Sequence, residues 1–270
     1  MQKSIILDYD FTPRVRYPRE SPHRKIEKML AADAARYAAT LRLLARFRDG
    51  FARIPLHADP ASPQEPHWRN DWLPGLDAMS IYGLLAAGNP PVYLEIGSGN
   101  STRFARRAVR DHHLATRIIS IDPCPRAEID GLCDQVVRDR FENVGPEIYA
   151  SLPAGSLVFV DNSHRCFQNS DVTACFLDLT PNLPAGVTLG FHDIFLPYDY
   201  PATWLERYYS ELYILAAFLL GGHQGYEITL PVYYSSMNRE LFQAIAPVFA
   251  MPELREAQPY GTTFWMTRRD

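Results

Sequence analysis

The chain has 270 residues, 47% of them hydrophobic and 21% charged, with a formal net charge of −4. That is the profile of a globular protein large enough to bury a core without staples, and with no basic stripe it argues against a nucleic-acid partner. The apolar run Ile214 to Leu220 is far too short to span a bilayer, the start MQKSIILDYDFTPR lacks the apolar centre of a signal peptide, and Cys124, Cys133, Cys166 and Cys175 form no CxxC pair, which reads as reduced thiols in a cytoplasmic protein.

Residues 1–24 are polar and interrupted by Pro13, Pro18 and Pro22, and are expected to be irregular. Over residues 26–51, Leu30, Ala34, Tyr37, Leu41 and Leu44 recur at four-three spacing, which predicts one long amphipathic helix. Its apolar stripe packs on its own domain, forms a contact with a second subunit in a homo-oligomer, or serves as a lid. The proline-rich segment IPLHADPASPQEP then breaks the pattern. We therefore expect an N-terminal extension over residues 1–68 and a main domain over 69–270.

The main domain alternates between two periods. A helix is predicted over residues 75–87. Strands are predicted at 92–96, 117–121, 156–160, 185–191 and 226–230, with weaker candidates at 135–138 and 262–266. Helices fall between them at 101–111, 125–132, 140–150, 168–180, 202–220 and 238–248. Short apolar runs flanked by helices imply a mostly parallel sheet covered on both faces, an α/β doubly wound fold. Ligands in such folds bind beyond the carboxyl ends of the strands. There the sequence places Glu95-Ile96-Gly97-Ser98-Gly99-Asn100-Ser101, then Asp122, then Asp161 and His164, then His192 and Asp193. A single aspartate at a strand end has a bland reading as a helix cap; recurrence at strand after strand weakens it. Gly97 and Gly99 permit close approach of a ligand to the main chain. Asp122 stands where a carboxylate would accept two ribose hydroxyls. This suits NAD or S-adenosylmethionine. Thr102 replaces the third glycine of a dinucleotide fingerprint, and Glu95 is awkward beside a pyrophosphate, which tips the choice toward the cationic S-adenosylmethionine.

The four segments LEIGSGNST, SIDPCPRAEID, VFVDNSHR and GFHDIFLPYDYP resemble a class I S-adenosylmethionine-dependent methyltransferase, of a bacterial branch whose first motif reads E-x-G-S-G-x-S-T. The resemblance covers roughly residues 70 to 235. It implies a Rossmann-like seven-stranded sheet whose last strand is antiparallel. It implies that Glu95, Gly97, Gly99 and Ser101 line the methionine part, that Asp122 holds the ribose, that Ser98 and Asp161 also bind the cofactor, and that residues around Asp139 and Phe141 lie near adenine.

The segments VDNSH and GFHD are similar to metal-dependent O-methyltransferases acting on catechols and macrolide sugars. This similarity implies His164 as base and Asp161 and Asp193 as ligands of a divalent metal ion, with His192 replacing an acidic ligand. Fewer carboxylates weaken a magnesium site; Asp161, His192 and Asp193 would hold a softer ion, or His164, His192 and Asp193 would form a metal-free acid–base group. The expected function is O-methylation of a small molecule or sugar in the cytoplasm. Two rivals are a nicotinamide-dependent oxidoreductase and a catalytically inactive cofactor-binding partner protein. No lysine follows Lys28, which counts against the Tyr-x-x-x-Lys oxidoreductases. Of the remaining polar residues, His112 and His113 are expected to be solvated, Trp68, Asn70 and Trp72 either pack in the core or close over the cofactor, and the tyrosines and Asp199 of FLPYDYP are expected to shape the acceptor pocket.

Overall fold

The computed structural model describes residues 8–125, 127–223 and 225–270. Seven strands form one sheet: β1 (Val92–Ile96), β2 (Arg117–Ile121), β3 (Gln135–Val137), β4 (Leu157–Val160), β5 (Thr188–Phe191), β6 (Tyr226–Pro231) and β7 (Phe264–Arg268). Their spatial order is β3-β2-β1-β4-β5-β7-β6. Neighbours among β1 to β5 pair in parallel, and β7 runs antiparallel to both β5 and β6. Every predicted strand is present. The central runs VYLEI and LVFV are buried along their whole length, as expected of strands covered on both faces.

The chain reverses its direction of winding between β1 and β4, the switch point where doubly wound sheets open a crevice. Registers Ile96↔Val160 and Val160↔Phe191 bring the carboxyl ends of β1, β4 and β5 level. The next residue of each strand stays in the ladder: Gly97 N–H donates to Ile121 O (3.0 Å), Asp161 N–H to Ile96 O (2.8 Å) and His192 N–H to Val160 O (2.9 Å). The polar residues at this rim are therefore held by sheet hydrogen bonds rather than by free loops.

The predicted N-terminal helix is broken into α1 (Arg24–Ala32), α2 (Ala34–Ala45) and α3 (Arg48–Ala52). Asp33 is the break, because its N–H closes α1 while its carbonyl accepts from Arg36 and Tyr37 to open α2. The stripe survives the break: Ile26, Leu30, Tyr37, Leu41 and Leu44 are all buried. It packs within the chain, α2 lying against β6, α10 (Arg239–Phe242) and α4 (Gly75–Gly88). The face expected as an oligomer contact is thus covered by the chain's own sheet and helices. The α2–α4 approach is close; a Cβ on Gly83 would sit 2.5 Å from Leu44 Cδ2.

Other predicted helices are shorter than expected or divided. Residues 125–132 yield a single turn at Asp130–Leu132, and 140–150 yield Phe141–Asn143 and Pro146–Ile148. Residues 168–180 become α6 (Asp171–Ala174), a π turn at Cys175–Leu179, and α7 (Thr180–Asn182). The run 202–220 divides into a turn at Ala202–Arg207, closed by Tyr208 at φ 53°, and α8 (Glu211–Leu220). The predicted helix 238–248 is α10 followed by α11 (Ala246–Phe249), with α9 (Val232–Met237) ahead of it. In contrast α5 (Asn100–Asp111) is a full amphipathic helix, with Phe104, Ala105, Ala108 and Val109 on its buried side. Among the described residues no helix is long and apolar enough to cross a membrane.

Candidate active site

The turn after β1 is built around Glu95. This carboxylate is fully buried and accepts from Tyr93 OH (3.0 Å) and Thr102 Oγ1, and Gly99 N–H in turn donates to Thr102 Oγ1 (3.0 Å). Burial pushes the Glu95 carboxyl up to about 7, against hydrogen bonds from Ser101, Thr102 and Tyr93. Glu95, Ser101 and Thr102 therefore brace the turn through buried hydrogen bonds. Gly97 has φ +79° and sits against the next strand end. Gly99 is the reverse: a Cβ there would meet nothing within 4 Å. Across the rim, Asp122 accepts Ser98 N–H and Cys124 N–H, both at 2.8 Å. Each Asp122 oxygen keeps a lone pair for a hydroxyl. Phe141 is buried against Tyr149 rather than facing the rim, and Asp139 is exposed, bonded to Asn143 and Arg140 N–H.

At the ends of β4 and β5 the four predicted residues converge. His164 Nε2 lies 3.3 Å from Asp161 Oδ1 and 3.3 Å from Asp193 Oδ2. His192 Nδ1 lies 3.3 Å from Asp161 Oδ1 and 3.6 Å from Asp193 Oδ1. The far nitrogen of each ring meets a fully buried carboxylate. His164 Nδ1 lies 2.9 Å from Glu211 Oε2, and His192 Nε2 lies 3.3 Å from Asp77 Oδ2, the latter off the line of a hydrogen bond. His164 (φ 58°) and Asp193 (φ 57°) are both left-handed, a backbone region that non-glycine residues seldom occupy and that recurs at functional sites.

The segment spanning residues 94–194, from the middle of β1 to just past β5, matches a family model described as "Methyltransferase domain". This segment is similar to a methyltransferase domain. No curated protein matches the chain. Among solved structures it is similar to the SAH-bound methyltransferase PaMTH1 of Podospora anserina (14% identity, 92% of this chain and 97% of that one, TM-score 0.45). It is also similar to cofactor-bound Rv0187 from MTB (14% identity, 84% and 88%, TM-score 0.44). The plantazolicin methyltransferase BpumL in complex with SAH is a third (11% identity, 91% and 100%, TM-score 0.44).

At this group burial opposes charging of His164, yet Asp161, Glu211 and Asp193 hold its imidazole well above the usual range. His192 is raised in the same way, against burial, by Asp193, Asp161 and Asp77. Burial likewise works against the Asp161 charge, but His192 and His164 hold its carboxyl below the usual range. His164 and His192 thus each lie among carboxylates. The sequence reading also expects a divalent ion on Asp161, His192 and Asp193. Among the described residues no group of three or more His, Cys, Asp or Glu side chains is arranged to hold a metal ion.

Two members of this group, Asp77 and Glu211, escaped the sequence reading. Asp77 lies in the first turn of α4 and accepts Thr262 N–H (2.7 Å) and Thr263 N–H (2.8 Å). Glu211 opens α8 and also accepts Asn162 Nδ2 (3.1 Å). The His164 carbonyl accepts Ser210 N–H (2.8 Å) and Glu211 N–H (3.2 Å), tying the loop to the start of α8. Other expectations are redirected. Asp199 is buried and accepts Arg16 N–H (2.5 Å) and Tyr17 N–H (2.9 Å), pinning the N-terminal segment. Trp68 is core, against Phe51 and Phe104. Trp72 is exposed, and Asn70 links its turn to Asn100 (3.2 Å), beside Gly99. His112 contacts Tyr82 OH (3.1 Å) and the Phe47 ring, so it is half-buried rather than solvated.

Proposed function

We propose that the methyltransferase domain binds S-adenosylmethionine and methylates an oxygen of a small molecule or sugar, without a metal ion, using His164 as base. The observation that carries this reading is the open space over Gly99, which any side chain would fill, beside Asp122 on one flank and the His164 group on the other. When bound, the cofactor supplies an electrophilic methyl group on a sulfonium. The residues of this chain do the rest. Asp122 takes the ribose hydroxyls on its remaining lone pairs. Glu95, Ser101 and Thr102 keep the turn open. Holding both reactants in attack geometry supplies about 7–11 kcal/mol of the barrier.

An acceptor hydroxyl must lose its proton as the bond forms. In neutral His164 the Nδ1–H faces Glu211, which leaves Nε2 as the proton acceptor. Once Nε2 is protonated, Asp161 and Asp193 stabilise the imidazolium, the logic of an oriented histidine base. Asp161 is the open member of the group, its side chain 38% exposed against 5% for His164, so the acceptor approaches from its side. Glu211 and Asp77 are positioning residues.

Calorimetry tests the cofactor. S-adenosylhomocysteine is expected to bind and NAD not to bind, and Asp122→Ala is expected to weaken binding by about 1.5–3 kcal/mol, the range for hydrogen bonds to a charged group. NAD binding without S-adenosylhomocysteine binding would overturn the reading.

A further inference from the structure

Beside His164 the chain places two arginines against aromatic faces. The Arg165 guanidinium lies 4.8 Å from the centre of the Tyr209 ring. Arg207 lies 4.0 Å from the centre of the Trp204 ring system and 5.6 Å from that of Tyr209. Tyr209 also lies against the His164 ring, with centroids 4.8 Å apart. Arg165 is further fixed by Nε–H donating to Arg207 O (2.9 Å) and Nη1–H to Ser163 O (3.1 Å). Among the described residues neither guanidinium pairs with a carboxylate, although Asp161, Asp193 and Glu211 surround His164. The turn that carries Arg207 ends at Tyr208 in a left-handed conformation, an uncommon state for a bulky side chain.

Arginines stacked on rings are pre-oriented; Arg165 donates Nε–H and one Nη1–H to backbone carbonyls and keeps its Nη2 hydrogens for a ligand. The planar fork matches the paired oxygens of a carboxylate or phosphate. We propose that the acceptor carries an anionic group, a carboxylate or a phosphate monoester, held by Arg165 and Arg207 while its hydroxyl faces His164. This rests on the methyltransferase reading for the hydroxyl but not for the anion site. The two positive charges also offset the carboxylates, so an anion meets less repulsion here than elsewhere at the rim.

The test uses small probes and ligand-observed NMR on the full chain, with and without S-adenosylhomocysteine. Phenyl phosphate and benzoate are the anionic probes, and phenol is the neutral one. At least one anionic probe is expected to bind tenfold or more tightly than phenol, and to weaken as sodium chloride is raised. Which one binds tells phosphate from carboxylate. Arg165→Gln with Arg207→Gln is expected to erase the preference while leaving the melting temperature and S-adenosylhomocysteine affinity unchanged. Equal binding of charged and neutral probes, no binding of any probe, or a preference that survives in the double variant would each overturn the proposal. Loss of S-adenosylhomocysteine binding in the wild-type protein would instead sink the methyltransferase reading and leave the probe result standing.

Discussion

The carbonyl oxygen of Asp161 lies 1.8 Å from where a Cβ on Gly97 would sit. The turn after β1 and the end of β4 therefore touch through backbone alone, and neither can move aside for a side chain. Gly97 is also left-handed, which adds strain for any other residue. Gly99, two residues on, has no such neighbour. The two glycines should thus behave differently. Gly97→Ala is expected to lower the melting temperature and displace Asp161. Gly99→Val is expected to fold normally and lose S-adenosylhomocysteine binding. Melting curves beside calorimetry separate the effects, and a Gly99→Val protein with wild-type affinity would remove that glycine from the cofactor site.

The pH dependence follows from the sign of the His164 shift. A base works only when unprotonated, and the surrounding carboxylates raise His164 above the ordinary value of about 6.5. Turnover is therefore expected to climb with pH into the alkaline range and then level off. Glu211→Gln removes one of those carboxylates, so the rising limb should shift to lower pH. His164→Ala is expected to cost about 10²–10⁴-fold in turnover. The same sign governs stability: this pairing is fully present below about pH 6.5 and is lost as pH rises through the raised value. A Glu211→Gln enzyme whose limb does not move would show that Glu211 only fills space.

Chelation gives a direct check on the metal-free arrangement. His164 and His192 lie 3.3–3.6 Å from the carboxylates of Asp161 and Asp193. Prolonged treatment with EDTA is expected to leave turnover and S-adenosylhomocysteine affinity unchanged, and elemental analysis should find no stoichiometric metal. Activity lost to EDTA and restored by a divalent ion would reverse this assignment.

The N-terminal helices are integral to stability. Leu41 is fully buried between α2 and the sheet side of the molecule. Leu41→Ala is expected to cost about 2–5 kcal/mol in urea unfolding, with no change in subunit number by light scattering. A variant that dissociates without losing stability would instead place the stripe at a subunit contact.

The strands were legible because each is a short apolar run between breakers, and their ends carried the polar residues of the site. His164, His192, Asp161 and Asp193 could be read because they stand within a few positions of a strand end. Asp77 and Glu211 could not be found that way. They lie on helices, and their pairing with histidines distant in the chain depends on how α4 and α8 dock. A weaker signal was available: each is the only charged residue of its apolar helix, GLDAMSIYGLLAAG and ELYILAAFLL. A lone carboxylate in such a helix must be buried with a partner. The broken N-terminal helix was invisible for another reason. A one-residue break at Asp33 leaves the four-three spacing almost intact.

The position of β7 also dictates an order of assembly. It is the last strand in the sequence yet lies between β5 and β6. During synthesis β6 is made before the strand it pairs with, and β1 to β5 precede both in the chain. The apolar edge of β5 stays uncovered for the same interval. A nascent chain stalled short of Phe264 should therefore expose two unpaired strand edges at once, and its capture by chaperones should end only when residues 264–268 emerge.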